Sequence, residues 1–278
     1  KKSFSARTGI RFNPQSSLMI SFNESISSNI NGYNIDIRST TRDYIGFGSY
    51  LSKGLPFSNW SFRVGGLEKI SFIKPYANSM SIEHSFSGKQ NLSWKFNEEG
   101  IMPINLFSIS SFENGNNDYL QFSRISRSFS PLIGISTTFK NGISTNLRSN
   151  ITHTLDEVAN GLTYISDNSI LATLTYNFSK GIRFPLPFSE RNIYLRNNMN
   201  ISLNLDFSNK TEEGSKDKIN FVEQNFTNTQ KSILRITYTL TDDITGSLFY
   251  EYRQTDTRLT GRRIDRDFGI NLNVAIRG

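Results

Sequence analysis

The sequence predicts an all-β fold, an antiparallel transmembrane β-barrel segment of about 14–16 amphipathic strands that belongs to a larger barrel. Three observations predict it. Apolar residues alternate with polar ones along most of the chain, the charges fall on the polar side of that alternation, and the composition is hydrophilic on average yet rich in aromatic rings. Of 278 residues only 36% are hydrophobic, but 13% are aromatic, with Phe 22 and Tyr 11, too many for a disordered chain. Strands that show one face to hydrocarbon and the other to water have this mixture.

The alternation is strict in the second half. It runs through Ile143, Thr145, Leu147 and Ile151, then through Ile170, Ala172, Leu174, Tyr176 and Phe178. Met199, Ile201, Leu203, Leu205 and Phe207 continue it, followed by Leu234, Ile236, Tyr238 and Leu240. Ile244, Leu248, Tyr250 and Tyr252 come next, and Phe268, Ile270, Leu272, Val274 and Ile276 last. Each run is about 9–11 residues, the length of a tilted membrane-crossing strand. In the first half Phe4, Ala6, Ile10 and Phe12 alternate, as do Leu18, Ile20 and Phe22; Tyr33, Ile35 and Ile37; Met80, Ile82, His84 and Phe86; and Leu92, Trp94 and Phe96. Residues 1–128 therefore read as less regular strands with an inserted loop near 66–77, and residues 129–278 as regular up-and-down strands of one C-terminal barrel portion, 1–278. Residues 113–128 fit no register.

Charge placement sharpens the reading, because an Arg facing mid-bilayer lipid costs roughly 2–4 kcal/mol and one facing a wet lumen little. Arg7, Asp36, Arg38, Glu83, Lys95, Arg148, Asp206, Arg235, Glu251, Arg253 and Arg277 all take the parity opposite the apolar sets. Arg148, Asp206, Arg235, Glu251 and Arg253 are thus expected as a charged, lumen-facing wall. Asn141-Gly142 suits a type I′ hairpin turn, and Thr241-Asp242-Asp243 a second tight one. The polar stretches 155–168, 208–230 and 255–267 read as long links on the other rim, which would place the short turns in the periplasm. Phe139, Tyr176 and Phe178 would then be rim aromatics below, and Phe207, Tyr250 and Tyr252 above. Gly46 and Gly48 read as sites of strand curvature or close packing.

Other classes find little support. Cys 0 removes disulfides and thiolate chemistry. No apolar run reaches the roughly 18 residues of a spanning helix, so a membrane reading has to be a barrel reading. The net charge of +7 is scattered and lacks a nucleic-acid groove pattern; outer-membrane lipid and lipopolysaccharide are the expected surface partners. No metal, nucleotide or other cofactor motif occurs, and the chain reads as no enzyme. The neutral-pH bases are His84 and His153. His153 shares a face with Ser149, the placement of an outer-membrane phospholipase, and that is the enzymatic alternative. The start Lys1-Lys2-Ser3-Phe4, with no apolar leader after it, implies a removed signal peptide or a piece of something longer.

Three blocks carry a family resemblance: Leu55-Pro56-Phe57-Ser58-Asn59-Trp60, Gly66-Leu67-Glu68-Lys69-Ile70, and Ser79-Met80-Ser81-Ile82-Glu83-His84. Phe129-Ser130-Pro131-Leu132-Ile133-Gly134 leading into Lys140-Asn141-Gly142, and Gly181-Ile182-Arg183-Phe184-Pro185, extend it. Together they resemble the C-terminal region of the SprA/Sov family, the very large outer-membrane translocons of the type IX secretion system in Bacteroidota, which are linked to gliding motility and cell-surface proteins. The resemblance implies export of folded cargo proteins through a channel gated by a plug and a PorV-type shuttle barrel, in the outer membrane of a Gram-negative bacterium. It implies wall and anchor roles, without chemistry, for Trp60, Gly66, Leu67, His84, Pro131, Gly134, Asn141 and Gly142, with the chain joined to the remainder of a larger barrel. A self-contained porin-like channel and a surface β-sandwich adhesin are the alternatives.

Overall fold

The computed structural model describes residues 1–30, 36–96, 120–158, 161–178, 182–185, 192–195, 197–241 and 243–275. Those residues are nearly all β, as alternation with no helical period requires. The strands are β1 (Lys2–Asn13), β2 (Ser16–Ile30), β3 (Asp36–Phe47), β4 (Lys53–Pro56), β5 (Asn59–Gly65), β6 (Ala77–Phe96), β7 (Leu120–Phe139) and β8 (Ile143–Val158). They continue as β9 (Gly161–Phe178), β10 (Ile182–Pro185), β11 (Asn192–Leu195), β12 (Met199–Ser215), β13 (Val222–Thr241), β14 (Ile244–Thr257) and β15 (Gly261–Val274). Two single 3₁₀ turns, Ser49–Leu51 and Leu67–Lys69, are the helical pieces among the described residues.

All strands but β10 and β11, which pair with each other, lie in one 13-stranded sheet, unlike the two stacked sheets of a sandwich. From β6 onward the sheet is an antiparallel meander, β6-β7-β8-β9-β12-β13-β14-β15, in which each hairpin is the shortest way to satisfy the next strand. Its other end is doubled. The upper half of β6 pairs with β3 from Asp36↔Phe96 to Asp43↔Lys89, and the lower half with β5 from Trp60↔Phe86 to Gly65↔Ser81. β2 pairs with the same two strands and then with β1. Strands β3 and β5 share one place in the wall, and β4 lies off it, so the 13 strands fill eleven places. Among the described residues the outer edges of β1 and β15 pair with no strand, and the sheet is open.

The handover from β3 to β5 explains the glycines there. After Asp43 the chain leaves the wall, forms a side hairpin (Tyr44↔Pro56 to Phe47↔Lys53) and returns at Asn59. The side hairpin crosses the wall so closely that a Cβ on Gly88 would lie 1.9 Å from the Tyr44 carbonyl oxygen, and one on Gly46 2.9 Å from Ile125. Gly48 takes φ +80°, which suits a residue without Cβ, whereas Tyr50 and Leu51 hold positive φ of 54° and 55°. Tyr50 is fixed by stacking on Phe221 at 3.8 Å, and Leu51 is fully buried.

Register confirms the faces in the meander. Ile143, Tyr176, Ile201, Ile236, Leu248 and Ile270 align in one cross-strand row, and Leu174, Leu203, Leu234, Tyr250 and Phe268 in the next. Many of these stay exposed, Phe268 at 71%, so the sheet displays a contiguous apolar band. On β12 the band covers 199–207. Eight rises of about 3.3 Å make it about 26 Å long, or about 20 Å deep at a tilt near 40°, close to the apolar belt of a bilayer barrel.

Three expectations are corrected. The stretches 155–168, 208–230 and 255–267 are mostly strand: β8 and β9 run on to Val158↔Gly161, β12 and β13 to Gly214↔Val222, and β14 and β15 to Thr257↔Gly261. Their polar residues are held by the backbone ladder and by cross-strand pairs such as Arg124 with Asp156 at 2.6 Å. Short turns and long links are consequently not sorted to opposite rims, since the short connections of β8 to β9 and β14 to β15 share a rim, and β10 and β11 lie on the other. Arg38 lies on the same face as Leu92 and Trp94, paired with Trp94 and 2% exposed, while Ile37 is exposed opposite Lys95. Three apolar positions, Tyr33, Ile35 and Ile37, were too few to fix parity, and the partner strand fixed it the other way. Finally, 120–128 belong to β7, whose register is regular up to Phe129; its slips lie at Leu120–Phe122 and after Phe129. The calls on Tyr33, Ile35, 113–119, Gly181, Asp242, Ile276 and Arg277, and on the side chain of Asp36, lie outside the described residues.

Candidate functional site

The face opposite the apolar band carries the polar chemistry. One register row crosses all eleven places: Arg11, Ser17, Arg63, Glu83, Gly134, Arg148, Leu171, Asp206, Lys231, Arg253 and Asp265. Eight of these residues are charged, five cations and three anions. A sheet gathers such a row because each antiparallel partner faces the same side as its mate.

Glu83 is the hub of one half. Its Oε1 pairs with Arg63 Nη1 at 3.4 Å and its Oε2 with Arg148 Nη2 at 3.3 Å, although β7 lies between β6 and β8. Gly134 fills the intervening place and has no side chain to block the reach; a Cβ there would lie 3.5 Å from Glu83 Cβ and 3.0 Å from Pro131 Cγ. Glu251 is the hub of the other half, accepting from Lys231 Nζ at 3.1 Å and Arg253 Nη2 at 2.8 Å. At the β15 edge Arg263 Nε donates to Asp265 at 2.9 Å.

Of the expected charged wall, Arg148, Asp206 and Arg253 share the row, and Glu251 lies one step along the same face. Arg235 is on that face but apart, with its guanidinium 5.8 Å from the Phe249 ring centre. Arg11, Arg63, Lys231 and Asp265 were not expected in the wall, and Glu83 was expected only on the polar parity. The signal that finds them is the constant sum of paired residue numbers along a hairpin, once the turn is known. Bulges at Arg11–Asn13 and Thr239–Thr241 break that sum and hide it in the sequence.

Of the motif residues, Trp60 and His84 lie on the apolar face beside a bulge of β7 that holds Pro131, while Gly66, Leu67, Asn141 and Gly142 lie in turns. Between Phe129 and Ile133 β7 advances four residues while β8 advances two, and Pro131, which has no N–H to offer a ladder, sits in the excess. The freed carbonyls are capped from β6: His84 Nδ1–H donates to Leu132 O at 2.6 Å, and Ser85 Oγ–H donates to Ser130 O. Trp60 stacks on Phe86 at 4.1 Å, and Phe86 meets Phe129 at 5.2 Å. Gly66 has φ +80° and opens the Leu67–Lys69 turn, where Glu68 accepts the Met80 N–H at 3.0 Å. Gly142, φ +87°, closes the turn after Phe139, but Asn141 does not share a positive φ and the expected type I′ turn does not form; the Asn141 side chain accepts from Ile143 N at 3.2 Å. The rim aromatics lie on the apolar parity, with Tyr176 and Phe178 in edge contact at 3.9 Å below and Phe207 and Tyr252 toward the other end of the band, whereas Tyr250 shares the middle row with Leu203 and is not at the rim.

The phospholipase geometry does not form. Ser149 and His153 share a face but stand four residues apart on one strand, about 13 Å at 3.3 Å per residue. His153 Nδ1 instead bonds the Tyr164 hydroxyl at 2.7 Å. Among the described residues no three of His, Cys, Asp and Glu converge to hold a metal. No protein-family model matches the chain, and no curated protein is significantly similar to it.

Proposed function

We propose that this chain is a wall segment of an outer-membrane β-barrel, with its apolar band in lipid and its charged row lining a water-filled channel. The carrying observation is the opposition of the two faces across eleven strand places: a band of exposed Leu, Ile and Phe on one side, eight charges in one row on the other. The open edges of β1 and β15 favour a larger barrel over a self-contained porin, because an unpaired edge cannot rest in hydrocarbon. The resemblance to the SprA/Sov family then assigns the channel to protein translocation of the type IX kind, with folded cargo as the transported class and a plug and a PorV-type shuttle barrel as partners. A row of mixed charge suits this work, since it keeps the wall wet where an emerging protein passes.

The absence of cysteine makes the test direct. Single cysteines at Arg148, Asp206 and Arg253 should react with a membrane-impermeant thiol reagent, and labels at Leu203 and Leu248 should be quenched by a lipid-dissolved quencher. The reverse pattern overturns the barrel reading. Deleting the gene should leave proteins with a C-terminal secretion signal in the periplasm. Normal cargo display with reduced small-solute uptake would instead support the porin.

A further inference from the structure

A trough of about 580 Å³ lies over β8, β9, β12, β13 and β14, where the apolar band of β12 gives way to amides beyond Phe207. Its lower border is Ile170 and Phe207, and Ile151 stands at its β8 margin. Its floor is a cluster of amides, Asn168, Asn209 and Asn228 in one row, with Gln230 and Gln254 one step below and Asp256 closing the side. Five strands at about 4.8 Å make it about 19 Å wide, enough for two or three sugar rings.

The chemistry of the floor is specific. Each amide offers a carbonyl acceptor and two N–H donors, which matches hydroxyl groups that themselves donate and accept. The Asn228 Oδ1 is buried and has no hydrogen-bond partner in the protein, so turning this amide toward the trough breaks no bond at the oxygen. No lysine or arginine lines the trough; Arg262, paired across from Asp256, donates to Gln254 Oε1 at 2.7 Å. A phosphate head would meet acceptors and Asp256 where it needs cations. We infer that the trough is a binding site for the neutral sugar head of a membrane glycolipid, whose acyl chains lie along Ile170 and Phe207 while its hydroxyls bond Asn168, Asn209 and Asn228. This rests on the apolar band facing lipid, as proposed above.

The test uses the full-length protein in phosphatidylcholine nanodiscs doped with diglucosyl diacylglycerol or with phosphatidylglycerol, and counts the lipids retained by native mass spectrometry. The diglucosyl lipid should be enriched about tenfold over phosphatidylcholine, and N209A/N228A should abolish most of that, as the loss of two or three hydrogen bonds implies. N209A alone should cost about threefold, and N228Q, which keeps the amide, should retain most of the enrichment. If the double variant does not fold, those single variants decide. Equal enrichment of phosphatidylglycerol, or retention unaffected by N209A/N228A, overturns the site. Displacement by free maltose would make the ligand a soluble glycan and overturn the lipid assignment. The two readings fail separately: quenching at Leu203 without sugar preference sinks this inference alone, and no quenching at Leu203 sinks both.

Discussion

The meander from β8 to β15 and the doubled region from β2 to β7 are built from the same alternating residues but fixed by different forces. In the meander each strand pairs with the next along the chain, apart from β9, which pairs with β12 past the separate β10-β11 hairpin, and stability lies in the repeated ladder and in the partition of side chains between two faces. In the doubled region a single place in the wall is shared by β3 and β5, a side hairpin crosses the sheet, and positive φ occurs at Tyr50 and Leu51. Buried residues concentrate there, including Arg38, Tyr44, Phe86 and Trp94. One region is a surface defined by its solvent; the other is packed like a small core.

That difference predicts which substitutions matter where. The largest effect should come from Leu203→Arg in the meander, which places a cation on the apolar band and should cost about 2–4 kcal/mol, against less than about 1 kcal/mol for Asn204→Arg one residue along and facing the other way. Urea titration of folding into vesicles measures both, and equal shifts would dissolve the distinction between faces. Next is Gly88→Ala in the doubled region. Its methyl would collide with backbone, the Tyr44 carbonyl, which cannot rotate away, so a loss of about 1–3 kcal/mol is expected. Gly246→Ala in the meander meets nothing nearer than 3.7 Å and should stay within about 0.5 kcal/mol. Heat-modifiable gel mobility ranks the two, and a harmless Gly88→Ala would mean that the side hairpin does not press on the wall.

The same contrast accounts for what could be read in advance. The faces of β8, β9 and β12 to β15 were legible because lipid-like partition acts on every second residue independently, so Leu203 and Asn204 announce themselves without knowledge of their neighbours. Strand lengths were not legible, because the polar extension through Thr154, Asp156 and Ser166 is stabilised by pairing, which leaves no hydropathy signal. In the doubled region Arg38 misled because its burial depends on β6, a partner more than fifty residues away. Of the candidate site, Arg148, Asp206 and Arg253 were found by parity alone, whereas their union with Arg63 and Glu83 in one row needed the register.

A smaller effect tests the hub that joins the two regions. Glu83→Gln removes the carboxylate that Arg63 and Arg148 share and should cost about 1 kcal/mol, less at high salt, because both arginines are about half exposed. A double-mutant cycle with Arg148→Gln should return a coupling of about half of that, and Gly134→Leu should abolish the coupling by filling the place over which the arginine reaches. A coupling unchanged in Gly134→Leu would show that the glycine serves packing against Pro131 alone.

The smallest effect lies beyond the apolar band, where the side hairpin lies over the β8 to β9 extension. Burial first, and then the charge of Arg127, hold the His153 imidazole below its ordinary value of 6.5. A folded state that resists protonation loses stability as the pH falls, because the unfolded chain takes up the proton first. The contribution is complete above about pH 6.5, declines below it, and levels off once the pH passes the lower folded value. Arg127 also donates to the Gly46 carbonyl at 3.3 Å, so an imidazolium there would press on the contact that seats the side hairpin. Amide exchange in the β8 to β9 hairpin should accelerate between pH 7.5 and pH 5 after correction for intrinsic rates, together with exchange around Gly46 and Leu51. His153→Gln should remove that dependence and leave the β13 to β14 hairpin unaffected; a pH response that persists in the variant, or spreads evenly over the meander, would place the titrating group elsewhere.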